Sequence, residues 1–111
     1  MRTPPVLWQT EWCPASRRVR QRLTELGVEY VARQVPVERD ERGELVEATG
    51  QTSIPALVDR GRVVVGGDAI LDYLDSCFPE PPEALRHRAK ATKARERELE
   101  EACRRLALTT H

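Results

Sequence analysis

Apolar and polar positions along the chain change period several times, and each change marks an element. Val6-Leu7-Trp8 is a short unbroken apolar run that predicts a buried strand over about residues 4–9. From Ala15 the apolar positions fall at Val19, Leu23 and Leu26, the spacing of a helix that ends near 26, with Gly27 where a helix-ending glycine belongs. The β-branched and aromatic stretch over residues 28–35 predicts a second strand. Strand, helix and strand joined this tightly make a βαβ unit, so these two strands should run parallel. Pro36 and the charged run Glu38-Arg39-Asp40-Glu41-Arg42 mark a connection. Residues 44–48, carrying Leu45 and Val46, then predict a short helix stopped by Gly50, its start weakened by Gly43. Ala56-Leu57-Val58 and Val63-Val64-Val65 flank the turn signal Asp59-Arg60-Gly61 and predict an antiparallel hairpin. Gly66-Gly67 breaks the second of these strands. Asp68 is the expected N-cap of a third helix holding Ala69, Ile70, Leu71, Leu74, Cys77 and Phe78, which Pro79 ends.

Beyond the stiff Pro79-Glu80-Pro81-Pro82 segment the pattern thins out. From Glu83 to about Leu108 there is no Gly or Pro, which predicts one long helix whose apolar stripe is only Leu85, Ala89, Leu99, Cys103 and Leu106. The organisation expected is therefore a domain over 1–78, a proline-rich linker over 79–82 and a charged helix over 83–111. A helix this polar is rarely stable in isolation, so it is expected to pack on the domain, on a second copy of the chain or on another protein. Its basic stretch from Arg86 to Arg97 reads as a solvated face with alternating charge, with an acidic partner as the other reading.

Composition narrows the function classes. At 111 residues the chain is one modest domain, and its formal net charge of zero argues neither for nucleic acid nor for a membrane surface. The start of the chain lacks the apolar core of a secretory leader, and no stretch approaches transmembrane length. Three cysteines are an odd number without repeated spacing, which argues against a disulfide framework and for a reducing, cytoplasmic setting. Cys13, Cys77, Cys103, His87 and His111 do not have metal-ligand spacing, so no metal is expected.

One stretch carries chemistry. Trp12-Cys13-Pro14-Ala15-Ser16 lies where the first strand hands over to the first helix. A cysteine there meets unpaired backbone N–H groups and the positive end of the helix dipole, both of which favour the reactive thiolate. Pro14 suits a first helical turn, where its missing N–H costs nothing. Cys77, beside Leu74 and Phe78 on an apolar face, reads instead as a buried structural residue, and Cys103 as incidental on a charged helix.

Four features in this order and spacing resemble the thioredoxin-like fold, specifically the glutaredoxins and the N-terminal domain of glutathione transferases. They are Cys13-Pro14-Ala15-Ser16, Ser53-Ile54-Pro55, the Asp59-Arg60-Gly61 turn and Gly66-Gly67-Asp68-Ala69-Ile70, and together they span about residues 4–78. The resemblance implies an α/β fold of order β-α-β-α-β-β-α with a mixed four-stranded sheet, followed by the long helix. It implies that Cys13 is the nucleophile and that Ser16 replaces a second cysteine, a single-thiol Cys-x-x-Ser site. It implies that Pro55 is a cis-proline, that Ile54 pairs its backbone with the cysteinyl part of glutathione, and that Gly67 and Asp68 hold the γ-glutamyl end. Trp12, Pro14, Arg18 and Ser53 complete the implied binding residues. The Ser16 hydroxyl, Arg17 and Arg18 would favour the thiolate, and Trp12 would flank the ligand.

Two departures from the family pattern are visible. Glutaredoxins usually have Asp where this chain has Ala69, and transferases usually have Glu-Ser where it has Gly66-Gly67, so the co-substrate is glutathione or another low-molecular-weight thiol. The function implied is reduction of glutathionylated proteins or small mixed disulfides by a single-thiol mechanism. The same resemblance leaves open a non-catalytic glutathione-binding or regulatory module of the transferase N-terminal type. A conjugating transferase is disfavoured, because the sequence ends after the one helix that matches the start of the family's substrate domain.

Overall fold

In the computed structural model, residues 3–109 are described, and the chain divides into two units, Met1–Glu80 and Pro81–His111. The first unit runs β1 (Val6–Gln9), α1 (Pro14–Glu25), β2 (Val31–Gln34), a 3-10 turn (Arg39–Glu41), α2 (Gly43–Thr49), β3 (Ala56–Asp59), β4 (Arg62–Val65) and α3 (Gly67–Cys77). Its strands form one mixed sheet in the order β2-β1-β3-β4, with β1 and β2 parallel and β3 antiparallel to both β1 and β4. This is the thioredoxin-like α/β architecture expected.

Strand alternation divides the apolar residues between two faces. Leu7, Leu57 and Val64 point to one face, where α1 and α3 add Val19, Leu23, Ile70 and Leu74. Val6, Trp8, Ala56, Val58 and Val65 point to the other and pack with Leu45 of α2. The leucines of the first face are wholly buried, and each such side chain is worth roughly 1.5–3 kcal/mol in burial. Arg22 donates across the α1–α3 seam from Nε to Asp75 Oδ1 at 2.8 Å, and within α1 from Nη1 to Glu25 Oε2 at 2.9 Å.

Element ends depart from expectation for local reasons. β1 starts at Val6 because Pro4 and Pro5 have no N–H to give a ladder. β2 starts at Val31, three residues late. Its predecessors close α1 instead: Gly27 (φ 68°) donates to the Thr24 carbonyl at 3.1 Å and Val28 to the Leu23 carbonyl at 3.0 Å. That double bond pair is the Schellman motif, whose left-handed residue is normally glycine. α2 includes Gly43, and its N-cap residue is Arg42.

Asp68 is not the cap of α3. Gly66 occupies that position with φ 100° and ψ 143°, a conformation essentially reserved for glycine, and its N–H donates to the Pro55 carbonyl at 2.9 Å. The helix therefore begins before Asp68, which falls in its first turn.

At the far end of the hairpin, Tyr73 Oη donates to the buried Asp59 carboxylate at 2.6 Å, fastening α3 to the β3–β4 turn. Burial, then the Asp59 carboxylate and Cys77, push the Tyr73 phenol up to about 12. Cys77, expected to be buried, is half-buried in the last turn of α3.

In the second unit α4 (Ala84–Thr109) is one continuous helix, on which Leu85, Leu99, Leu106 and Cys103 are exposed. His111 lies outside the described residues. No helix among the described residues is long and apolar enough to cross a membrane.

Candidate functional site

Sheet topology brings the chemistry-bearing stretches to one end. Trp8 of β1 pairs with Ala56 of β3, which pairs in turn with Val65 of β4. The residues after Trp8, those before Ala56 and those after Val65 therefore leave the sheet together. They are the segment to Cys13, the Ser53-Ile54-Pro55 segment and Gly66-Gly67-Asp68.

Cys13 is the N-cap residue of α1, extended at φ −75° and ψ 119°, with Pro14 next in the first turn. Its N–H donates to the Thr10 carbonyl at 3.3 Å, and its carbonyl accepts the Arg17 N–H at 3.0 Å. The side chain is half-buried and caps nothing. Burial pushes the thiol up, yet the net displacement is downward. The Ser16 hydroxyl, the backbone N–H groups of Ser16 and Ala15 and the charge of Arg20 together outweigh the burial. The backbone N–H groups expected at a helix start are among these causes, and the Ser16 hydroxyl comes before them.

Ser16 contributes in a specific way. Its residue is fully buried and its Oγ has no hydrogen-bond partner meeting ordinary geometry. A buried hydroxyl without an acceptor is costly, and the nearby thiolate is the acceptor it lacks.

The Ile54–Pro55 peptide is cis. Pro55 is buried, Ile54 packs partly against the Trp8–Leu45 cluster, and the β3 ladder begins only at Ala56. The loop leading to it is laced by side chains that the sequence reading passed over. Gln51 accepts the Ser53 N–H and donates to the Ser53 carbonyl at 3.1 Å and to Thr49 Oγ1 at 3.0 Å. Arg42 reaches three carbonyls: Pro36 at 2.8 Å, Val37 at 3.1 Å and Thr52 at 2.8 Å. Ser53 accordingly has its backbone engaged by Gln51.

Gly67 is buried against α1. A Cβ there would come within 3.2 Å of Ala15 Cβ and 3.1 Å of Arg18 Nη2, so alanine at 67 would require Ala15 and the Arg18 side chain to give by a few tenths of an ångström. Arg18 donates to Asp68 Oδ1 at 3.3 Å, an exposed pair across the rim of the site. Exposed pairs of this kind are worth little to stability, so its interest is the placement of opposite charges beside Gly67. Trp12, next to Cys13 in the chain, is 62% exposed.

Of the three arginines on this turn of α1, expectation named Arg17 and Arg18 as the charges acting on Cys13, and it is Arg20 that does so. Its position two turns beyond Cys13, on the same helix face, is the signal that could have found it.

A separate groove of about 510 Å³ lies on the α2 face, lined by Val6, Trp8, Arg33, Glu44, Glu47, Ala48 and Val58, with the Arg33 guanidinium 5.5 Å from the Trp8 ring. None of the Cys13 constellation lines it. Among the described residues no group of His, Cys, Asp or Glu is placed to hold a metal ion.

Comparison with known proteins shows the family to which the fold belongs. The family model for the glutathione S-transferase N-terminal domain matches residues 7–82. The stringent starvation protein A homolog of Histophilus somni is 40% identical over 65 residues, which is 59% of this chain and 30% of that protein. A glutathione S-transferase from Sinorhizobium meliloti 1021 superimposes with a TM-score of 0.59 at 28% identity, covering 67% of this chain and 32% of that one. A glutathione transferase homolog from Drosophila mojavensis, solved with bound glutathione, superimposes with a TM-score of 0.63 at 23% identity, covering 76% and 42%. The chain thus spans between about a third and two fifths of the relatives it matches.

Proposed function

The chain belongs to the glutathione S-transferase N-terminal domain family, and on that premise we propose that it binds glutathione at the Cys13 end of the sheet and exchanges disulfides there through Cys13. The observation that carries this reading is the thiol itself: half-buried at the start of α1 and lowered by Ser16, Ala15 and Arg20. The cis Ile54–Pro55 peptide and the Gly66-Gly67-Asp68 turn leave the sheet at the same end and supply the binding cradle.

The chemistry runs in two balanced steps. The Cys13 thiolate attacks the glutathione sulfur of a mixed disulfide. The Cys13–glutathione disulfide forms, the substrate–glutathione bond breaks, and the substrate thiolate leaves and takes a proton from solvent. A second glutathione, as thiolate, attacks the Cys13-bound glutathione sulfur, so that oxidised glutathione departs and Cys13 returns as thiolate. Ser16 cannot form a disulfide, so the second step depends on an external thiol. The setting is a soluble one, and the substrate is a glutathionylated protein or a small disulfide.

A second reading is a binding or regulatory module without turnover, supported by 40% identity over 65 residues to a protein that is not named as a transferase. In that reading α4, with its exposed leucines, is the surface for a protein partner or a second copy.

Intact mass spectrometry after exposure to oxidised glutathione separates the readings. Exchange predicts one glutathione adduct, confined to Cys13, and turnover of a glutathionylated test disulfide that Cys13→Ser abolishes. Equal, slow turnover by the wild type and Cys13→Ser leaves only the module. Adducts spread evenly over Cys13, Cys77 and Cys103 sink the exchange reading.

A further inference from the structure

We propose that Arg20 is the positioning residue of the Cys13 site: its guanidinium grips the loop before the cysteine and thereby fixes how the thiol is presented at the start of α1. The inference rests on the reading of Cys13 as the reactive thiol, and on geometry that this reading does not use.

Arg20 lies seven residues beyond Cys13, so the two share a face of α1, and helical side chains lean toward the N-terminus. The guanidinium therefore runs back along the helix to the segment entering it. Nη1 donates to Gln9 Oε1 and to the Thr10 carbonyl at 3.3 Å, and Nη2 donates to the Glu11 carbonyl at 3.4 Å. Three consecutive residues are held by one planar fork. Gln9 is almost wholly buried and passes the constraint on, donating to Glu11 Oε1 at 3.0 Å and to Gln34 Oε1 of β2 at 3.5 Å.

The Thr10 carbonyl is the node. It accepts Arg20 Nη1 and also the Cys13 N–H, both at 3.3 Å. The same acceptor that sets the cysteine's backbone is thus held in place by Arg20. Lysine would keep the charge without the fork, because an ammonium cannot span three acceptors in a plane.

The charged groups around this arrangement are few. Glu11 Oε2 lies 3.6 Å from Arg20 Nη2 and is exposed. Tyr30, entering β2, is pushed up by burial, an effect that Arg20 opposes and Glu11 adds to. On the α3 side, Arg18 and Asp68 satisfy each other.

The test is the pH profile of Cys13 alkylation by iodoacetamide in the full chain, read by peptide mass spectrometry. Arg20→Lys, Arg20→Gln and the surface control Arg17→Gln are compared with the wild type. Each unit by which the profile moves up lowers the rate at pH 7 by about tenfold. Positioning predicts that Arg20→Gln and Arg20→Lys both move the profile up and slow alkylation several-fold at pH 7, while Arg17→Gln follows the wild type. Cys77 in the same sample reports folding, and its labelling rate stays at the wild-type value. Two results overturn the proposal: a wild-type profile in Arg20→Gln, or a wild-type profile in Arg20→Lys with only Arg20→Gln displaced, which would reduce Arg20 to a bare charge. If a variant opens the fold and accelerates Cys77, amide exchange of the Cys13 N–H relative to that of Leu57 decides. Selective acceleration at Cys13 upholds the node, and parallel acceleration overturns it. Alkylation needs no glutathione, so failure of the exchange reading shows as absent turnover with these displacements intact.

Discussion

The first unit has one thiol at the start of α1 and another at the end of α3, and their surroundings differ. At the first, Cys13 precedes the first turn of α1, where backbone N–H groups, the Ser16 hydroxyl and the Arg20 charge converge on it and lower it. At the second, Cys77 closes α3, among carbonyls instead of N–H groups, beside the Tyr73 phenol and the buried Asp59 carboxylate. There Tyr73 donates to Asp59, and the hairpin is fastened to α3. Near Cys13 a buried hydroxyl is left without an acceptor. The difference is one of surroundings: one thiol sits among donors at a helix start, the other beside a phenol–carboxylate fastening at a helix end.

Substitutions can break or sharpen this contrast. Cys13→Ser should abolish adduct formation with oxidised glutathione, measured by intact mass, while Cys77→Ser leaves it intact. Gly66→Ala forces a side chain into φ 100° and should cost about 1–3 kcal/mol in denaturant unfolding. Tyr73→Phe deprives the buried carboxylate of a donor and should cost about 1–3 kcal/mol, with Cys13 alkylation unchanged. Ser16→Ala should slow Cys13 alkylation at pH 7 a few-fold, with little loss of stability, since the hydroxyl it removes has no partner in the resting state.

The smallest effect is in the pH dependence of stability, and its sign differs between Cys13 and Tyr73. A thiol lowered on folding adds stability above its unfolded value, and that contribution is lost as pH falls through the folded value, so the wild type should gain on Cys13→Ser as pH rises toward 9.0. The raised Tyr73 phenol does the reverse. Its contribution is present below 10.0 and lost as pH rises to about 12, a loss that Tyr73→Phe should remove from the alkaline unfolding curve.

Much of this could be read from the residues. Period changes located every strand and helix of the first unit, because each apolar run has one length and one spacing, and Cys13 stood out because a strand–cysteine–proline–helix junction has only one electrostatic sense. Other features depend on chain reversals that no local pattern specifies. Val28–Tyr30 look like strand, but the helix-ending bonds at Gly27 and Val28 claim them first. Asp68 looks like a cap, but Gly66 turns the chain before it and leaves Asp68 to Arg18. Arg42, Gln51 and Arg20 carry no local signal of their roles, because their partners are carbonyls and loop side chains brought near only by the completed fold.

The most direct test of the account is the pH profile of alkylation at all three cysteines in one sample, with the sites resolved by peptide mass. A Cys13 midpoint below the ordinary cysteine value, displaced upward in Ser16→Ala while Cys77 and Cys103 keep their own profiles, is the predicted result. A Cys13 midpoint at or above that value, or one profile common to all three cysteines, would contradict it.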